Sequence, residues 1–161
     1  MNRKDLKEEL FREILKRGLL EQEEMSDEMM SDEMETDTQE NESFCELACR
    51  VLHSRTQAHV FHLQTKSFAE HKALNDYYDG VLGLYDGLVE SYQGKYGLLM
   101  NVKSFENQDY QSSEQVIGYF EDLVSKIDEN RNSVDDSYLQ NQIDTIVELI
   151  YSTIYKLKFL K

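Results

Sequence analysis

Side chains that can bind metal ions are concentrated in one stretch, residues 59–90, which holds three of the chain's four histidines. The candidates are His59, His62, His71, Asp86 and Glu90. If the stretch forms two helices joined by a tight turn, His59 and His62 share one face of the first helix. Asp86 and Glu90, four residues apart, then share one face of the second. Imidazoles and carboxylates on facing helices suit iron or another divalent transition metal.

The two cysteines, Cys45 and Cys49, are four residues apart on a predicted helix. A disulfide at this spacing would strain the helix, so we expect two reduced thiols in a reducing cytoplasm. A zinc-binding pair is the alternative, although no second pair of ligands accompanies it. No apolar run approaches the length of a membrane span, and the N-terminal residues are charged where a signal peptide is apolar. We therefore expect a cytoplasmic protein.

Composition favours an all-α fold for the part of the chain that carries these residues. The sequence has 161 residues, no proline and only seven glycines. An average chain contains about 5% proline, so its complete absence suits long uninterrupted helices. Four segments with helical periodicity follow one another, at residues 43–66, 68–94, 114–129 and 134–160.

Capping signals mark the ends of these predicted helices. Ser67 is the expected N-cap of the second helix, and Glu70 completes a capping box. The second helix should end at Gly94 or Gly97. Ser112 and Ser113 precede the third helix. The polar segment 98–112 is long enough to cross the bundle, so two antiparallel hairpins joined by a long connection are expected, the architecture of a ferritin-like four-helix bundle.

Charge separates the beginning of the chain from this bundle. The formal net charge is −15, and residues 21–43 contain eleven acidic and no basic residues. We predict an amphipathic helix at 1–20, a disordered acidic linker at 21–41 and the bundle at 42–161. The four methionines of the linker could also be copper ligands or a partner-binding surface.

The apolar stripe of the N-terminal helix, within residues 3–20, has to be buried on another surface. Its own domain, another protein and a membrane are the alternatives. Acidic residues in the helix count against an anionic lipid surface, so no membrane association is expected.

The spacing of the candidate ligands resembles that of the Dps miniferritins. In that family, the motif is His, eleven residues, His, fourteen residues, Asp, three residues, Glu, which His59, His71, Asp86 and Glu90 reproduce. A second alignment uses His62 in place of His59. It is similar to uncharacterised phage-encoded Dps-like proteins, whose pattern continues through Gln64, Thr65, Ser67, Ala69, Ala73 and Leu74 to the sequence Gly94-Lys95-Tyr96-Gly97. Val60 and Asn75 depart from the usual Dps tryptophan and acidic residue.

This resemblance implies an iron-binding, ferroxidase-type protein. The third and fourth helices have no histidine, so the usual di-iron site within one chain cannot form. The Dps site instead lies between subunits, which implies a homo-oligomer, a dimer at least or a dodecameric cage. The alternative is a non-catalytic phage assembly protein that docks through its N-terminal helix, in the bacterial host cytoplasm or on the virion. We expect no DNA binding, because the basic residues at the N-terminus are followed at once by the acidic linker.

Overall fold

The computed structural model describes residues 41–160, which form an all-α structure without a β-strand in that range. The helices are α1 at residues 41–64, α2 at Phe68–Tyr96, α3 at Ser113–Asn130 and α4 at Ser137–Phe159, with a short 3₁₀ turn at Arg131–Ser133 between the last two. The predicted N-terminal helix and the predicted linker up to residue 40 lie outside the described residues. None of the helices described is long and apolar enough to cross a membrane.

All four predicted helices are present, with ends that differ by up to three residues from those expected. Ser67 caps α2 and Ser112 caps α3, each by accepting a backbone N–H bond on its hydroxyl. Gly97 is the C-cap of α2, and its φ of 95° favours glycine. Helix α4 begins later than predicted because Val134, buried in the core, adopts an extended conformation with φ of −139°.

Contacts between side chains establish the order of the helices. Helices α1 and α2 are antiparallel, because Phe44 stacks on Tyr92 near one end and His59 stacks on Tyr78 towards the other. Helices α2 and α4 are also antiparallel, since ion pairs join Lys95 to Asp136 and Lys156 to Asp76. The core is formed by apolar side chains of all four helices; its largest fully buried members are Phe44, Leu47, Phe61, Leu74, Tyr77, Leu88, Phe120, Ile127, Leu139, Ile143, Ile146 and Ile150.

The connection between α2 and α3, residues 97–112, follows α1 along its length. The Gln57 side chain accepts a hydrogen bond from the Gln108 N–H at 2.7 Å and donates one to the Gln108 carbonyl at 2.8 Å. Near the end of α1, Gln64 accepts from the Tyr110 N–H and donates to Asp109. The connection therefore crosses from one end of the bundle to the other, and α2 and α3 run in the same direction.

Candidate metal centre

His62 and His71 form a reciprocal pair across the turn between α1 and α2. The Nδ1 atom of His62 lies 2.9 Å from the His71 carbonyl oxygen, and the Nδ1 atom of His71 lies 3.0 Å from the His62 carbonyl oxygen. The two rings stack with their centroids 3.7 Å apart. His62 is buried and His71 is exposed. Two hydrogen bonds from a side chain to the backbone thus join the end of α1 to the start of α2.

These hydrogen bonds determine which ring nitrogen of each histidine can bind a ligand. A carbonyl oxygen only accepts, so each Nδ1 atom must carry a proton and donate. In the neutral ring the lone pair is then on Nε2. An Nδ1–H bond to a backbone carbonyl is the usual way in which proteins orient a histidine that binds a metal through Nε2. The pair accordingly offers two oriented imidazole nitrogens.

His59 and Tyr78 complete an aromatic cluster around this pair. His59 lies one helical turn before His62, with ring centroids 5.8 Å apart, and stacks on Tyr78 at 4.6 Å. Tyr78 also meets His62 edge-on, at 5.2 Å. The Tyr78 hydroxyl donates to the Asn75 side chain at 2.8 Å, which orients the phenol ring. All three predicted histidine ligands are therefore close together in one chain.

The two predicted carboxylate ligands, Asp86 and Glu90, lie elsewhere on α2. Both are exposed. Asp86 follows His71 by fifteen residues in one continuous helix, a separation of about 22 Å at 1.5 Å per residue. Within residues 41–160, no three histidine, cysteine or acidic side chains are arranged to hold a metal ion. One chain thus brings the histidines together but keeps the carboxylates apart from them.

Histidines and carboxylates nevertheless occupy one side of the α1–α2 hairpin. On α2, His71, Tyr78, Leu82 and Asp86 recur at intervals of seven and four residues, which places them along one side of the helix. On α1, Arg55, His59 and His62 recur at intervals of four and three residues, which also places them along one side. We call this surface the hairpin flank; it comprises Arg55, His59, His62, His71, Tyr78, Leu82, Asp86 and the adjacent Glu90. Its Arg55 Nε atom is buried without a hydrogen-bond partner among the described residues.

A buried carboxylate next to the histidine pair was not predicted as a functional residue. Glu70 accepts hydrogen bonds from the hydroxyls of Thr65, Tyr110 and Ser113. The predicted capping box is therefore only half correct. Ser67 does accept from the Glu70 N–H, but the Glu70 carboxylate turns inward, and the Ser67 N–H donates to Thr65 instead. Glu70 joins the α1–α2 turn to the connection and to the start of α3.

Both cysteines are free thiols, as predicted. Cys45 and Cys49 are buried, with their sulfur atoms 3.8 Å apart. Burial, together with the neighbouring Cys49, raises the pKa of the Cys45 thiol to about 11. The connection covers the pair, since the Lys103 N–H donates to the Cys49 sulfur at 3.2 Å. In the described part of the chain, no further histidine, cysteine or acidic side chain joins them in a metal-binding group.

Comparison with known families places the chain in one whose function has not been determined. Residues 62–157, more than half of the chain, match a family described as a family of unknown function (DUF5856), and the chain belongs to it. The match extends from His62 through α2 and α3 into α4, so it includes His71, Asp86 and Glu90 and leaves out His59. No curated protein and no solved structure matches the chain.

Proposed function

We propose that this chain is a Dps-like member of the ferritin-like proteins that binds and oxidises Fe(II) at a site shared between two subunits. His62 and His71 supply imidazole ligands from one subunit, with His59 beside them. Asp86 and Glu90 of a second copy supply the carboxylates. The observation that carries the proposal is the pair of Nδ1–H bonds to backbone carbonyls, which leaves both Nε2 atoms able to bind iron.

The hairpin flank supports two-fold pairing. Its histidines lie at one end and its carboxylates at the other, with Tyr78 and Leu82 between them. In an isologous dimer each subunit uses the same surface. If two flanks pack antiparallel about an axis near Tyr78 and Leu82, the histidine end of each subunit meets the acidic end of the other. Leu82, exposed in the single chain, would then be buried.

Electrostatics favours a cation bound between the histidine end of one subunit and the acidic end of the other. Asp86 and Glu90 are four residues apart on one helix, where like charges repel by a few tenths of a kcal/mol. A divalent cation bound by both carboxylates removes this repulsion. The shared site is then a mixed nitrogen and oxygen ligand set of the kind that binds Fe(II).

Peroxide or oxygen is the expected oxidant of Fe(II) at the site, and with peroxide the reaction needs only protons besides. Two Fe(II) ions lose one electron each, and one hydrogen peroxide takes up both electrons and two protons to give two water molecules. The chain's own contribution is to position the ions. The negative charges of Asp86 and Glu90 then compensate the additional positive charge of Fe(III). The fold agrees with this proposal at the level of a helical bundle whose connection crosses between two antiparallel hairpins, as in ferritin-like proteins.

The proposal is tested by changing Asp86→Asn and Glu90→Gln together. We expect the variant to lose stoichiometric iron binding and peroxide-dependent Fe(II) oxidation while its circular dichroism stays helical, because both side chains are exposed. Native mass spectrometry of the full chain measures oligomer size and bound iron. The matched control is Asp135→Asn with Glu148→Gln, which removes the same charge from exposed positions outside the hairpin flank.

Two results would count against the shared site. One is a strictly monomeric parent protein that binds iron stoichiometrically, since a single chain does not bring the carboxylates to the histidines. The other is an oligomer that neither binds nor oxidises iron. That second result would favour the alternative of a non-catalytic assembly protein, in which the His62–His71 pair only stabilises the turn.

A further inference from the structure

A cleft on the opposite side of α1 from the hairpin flank contains polar groups that the proposed iron chemistry does not use. It lies between α1, the connection and α3, and has a volume of about 260 Å³. Arg50 and His53 line it from α1, Phe105 from the connection, and Tyr119 and Leu123 from α3. Three separate elements therefore contribute to one half-open cleft.

Two of the lining side chains lack hydrogen-bond partners. The His53 ring is tilted against Phe105, with centroids 5.5 Å apart, and makes no hydrogen bond with any described residue. The Tyr119 ring packs edge-on against Phe61 and Phe120, while its hydroxyl has no partner among residues 41–160. Both groups are solvent-accessible and line the same cleft, so they can form hydrogen bonds with a bound ligand.

The protonation of these two groups makes both of them hydrogen-bond donors. Burial, reinforced by the Arg50 charge, lowers the pKa of His53, so its ring is neutral at pH 7 and one nitrogen carries a proton. Burial also raises the pKa of Tyr119, so its phenol keeps its proton. Neither group brings a negative charge into the cleft.

Arg50 brings a positive charge to the cleft, and its guanidinium lies over the Phe105 ring, 4.8 Å from the centroid. Its Nε and Nη2 atoms both donate to one oxygen of Glu46, at 2.8 and 2.7 Å. The other oxygen of Glu46 binds the Lys103 ammonium at 2.9 Å. One carboxylate is thus shared by two cations, and the Nη1 atom of Arg50 has no hydrogen-bond partner in the described part of the chain. The lining carboxylates, Glu106 and Asp122, are exposed, so water and salt screen them.

We propose that this cleft binds a small organic monocarboxylate. The carboxylate accepts hydrogen bonds from the Tyr119 hydroxyl, the His53 ring and Arg50, and the apolar part of the ligand lies against Phe105 and Leu123. Charge-assisted hydrogen bonds to a carboxylate are stronger than those to a neutral amide, so the charge contributes to selectivity. The cleft is smaller than most drug-binding pockets, which begin at about 300 Å³, so a small ligand fits it best.

The experiment is an NMR titration of the full-length protein with benzoate, a probe of suitable size and charge. Backbone amide shifts of His53, Gln108 and Tyr119 report binding. Benzamide, which has the same shape without the charge, and benzylamine, which is cationic, are the comparison ligands. The informative variant is Tyr119→Phe, which removes one hydroxyl that has no partner among the described residues. Its matched control is Tyr151→Phe, which removes an exposed hydroxyl from α4.

We expect benzoate to bind with a dissociation constant near or below about 1 mM. Benzamide and benzylamine should bind at least about tenfold more weakly, and Tyr119→Phe should weaken benzoate binding by about tenfold, the loss of one hydrogen bond to a charged group. Tyr151→Phe should leave it unchanged. The proposal is overturned if benzoate produces no shifts at the cleft, if either comparison ligand binds equally well, or if Tyr119→Phe binds benzoate as the parent does. Iron binding at the hairpin flank is independent of each of these outcomes.

Discussion

At the scale of single residues, hydroxyl groups satisfy much of the buried polar structure. The Tyr77 hydroxyl lies 2.6 Å from the Ser54 hydroxyl, and both residues are completely buried. Three further hydroxyls converge on the Glu70 carboxylate. Such groups are costly to bury unless they are paired, so each of these contacts specifies how two elements fit together.

Changing Tyr77→Phe tests the first of these contacts. The variant loses the hydroxyl pair but keeps the aromatic ring, and Ser54 keeps its hydrogen bond to the Val51 carbonyl at 2.7 Å. We therefore expect the free energy of unfolding to fall by about 1 kcal/mol, the usual value of one hydrogen bond, in urea denaturation. Tyr151→Phe, at an exposed position, is the control and should have no effect. Equal stability of Tyr77→Phe and the parent would show that the buried pair contributes nothing.

His53 should make the stability of the bundle depend on pH. Its folded-state pKa is lowered by burial and by Arg50, whereas the unfolded chain has the ordinary value of about 6.5. Below that value the unfolded state binds a proton that the folded state does not, so stability decreases as the pH falls from 7 towards the lowered pKa. His53→Gln should show a shallower decrease when the free energy of unfolding is measured across this range. Parallel pH profiles for variant and parent would contradict this assignment.

At the scale of the elements, two glycines at the C-terminal end of α2 have different structural roles. Gly97 has φ of 95° and ψ of 178°, a conformation that is almost restricted to glycine, and it ends the helix. Gly94 lies within the last turn of the helix, with no neighbouring atom that an added methyl group would meet. One position therefore requires glycine, and the other does not.

Exchanging each glycine for alanine separates these two cases. Gly97→Ala should lower the free energy of unfolding by about 1–3 kcal/mol, the cost of holding alanine in that conformation. Gly94→Ala should raise it by about 0.5–1 kcal/mol, because alanine loses less entropy than glycine on entering a helix. Thermal and urea unfolding measure both. A destabilised Gly94→Ala would indicate a contact at this position beyond those of residues 41–160.

The helices could be predicted from the sequence because their signals are local. Apolar periodicity and the caps at Ser67, Gly97 and Ser112 place the ends of α2 and α3 within two residues. The path of the connection along α1 could not be predicted, since Gln57 binds a backbone segment 51 residues away. The inward position of the Glu70 carboxylate could not be predicted either, because it also depends on long-range contacts. The sequence does not show that three hydroxyls, one of them 43 residues away, compete for its carboxylate.

The candidate metal site was only partly predictable. Residue types and helical spacing selected the histidines as candidate ligands, which stays a prediction, and the turn does bring His62 and His71 together. The reciprocal bonds that orient the two rings depend on the distance between the helices, which the sequence does not contain. His53 gave no signal, because its role in the cleft comes from residues of α3 and the connection.

For the whole molecule, the net charge of −15 opposes binding to polyanions such as DNA. Binding to duplex DNA gains free energy mainly from the release of counterions by basic side chains, and the acidic segment at residues 21–43 opposes any such contact. We expect no gel shift with full-length protein and duplex DNA at about 0.15 M salt, where the Debye length is about 8 Å. Tight binding under these conditions would contradict this prediction.

The two thiols beneath the connection make local opening of the bundle measurable. At neutral pH only a small fraction of Cys45 is thiolate, the form that alkylating reagents attack, because its pKa is about 11. The Cys45 sulfur also lies 3.4 Å from the carbonyl oxygen of Met100 in the connection. A reagent must therefore wait for this segment to detach from α1. Alkylation rates in native buffer consequently report the free energy of that detachment, with no label added to the chain.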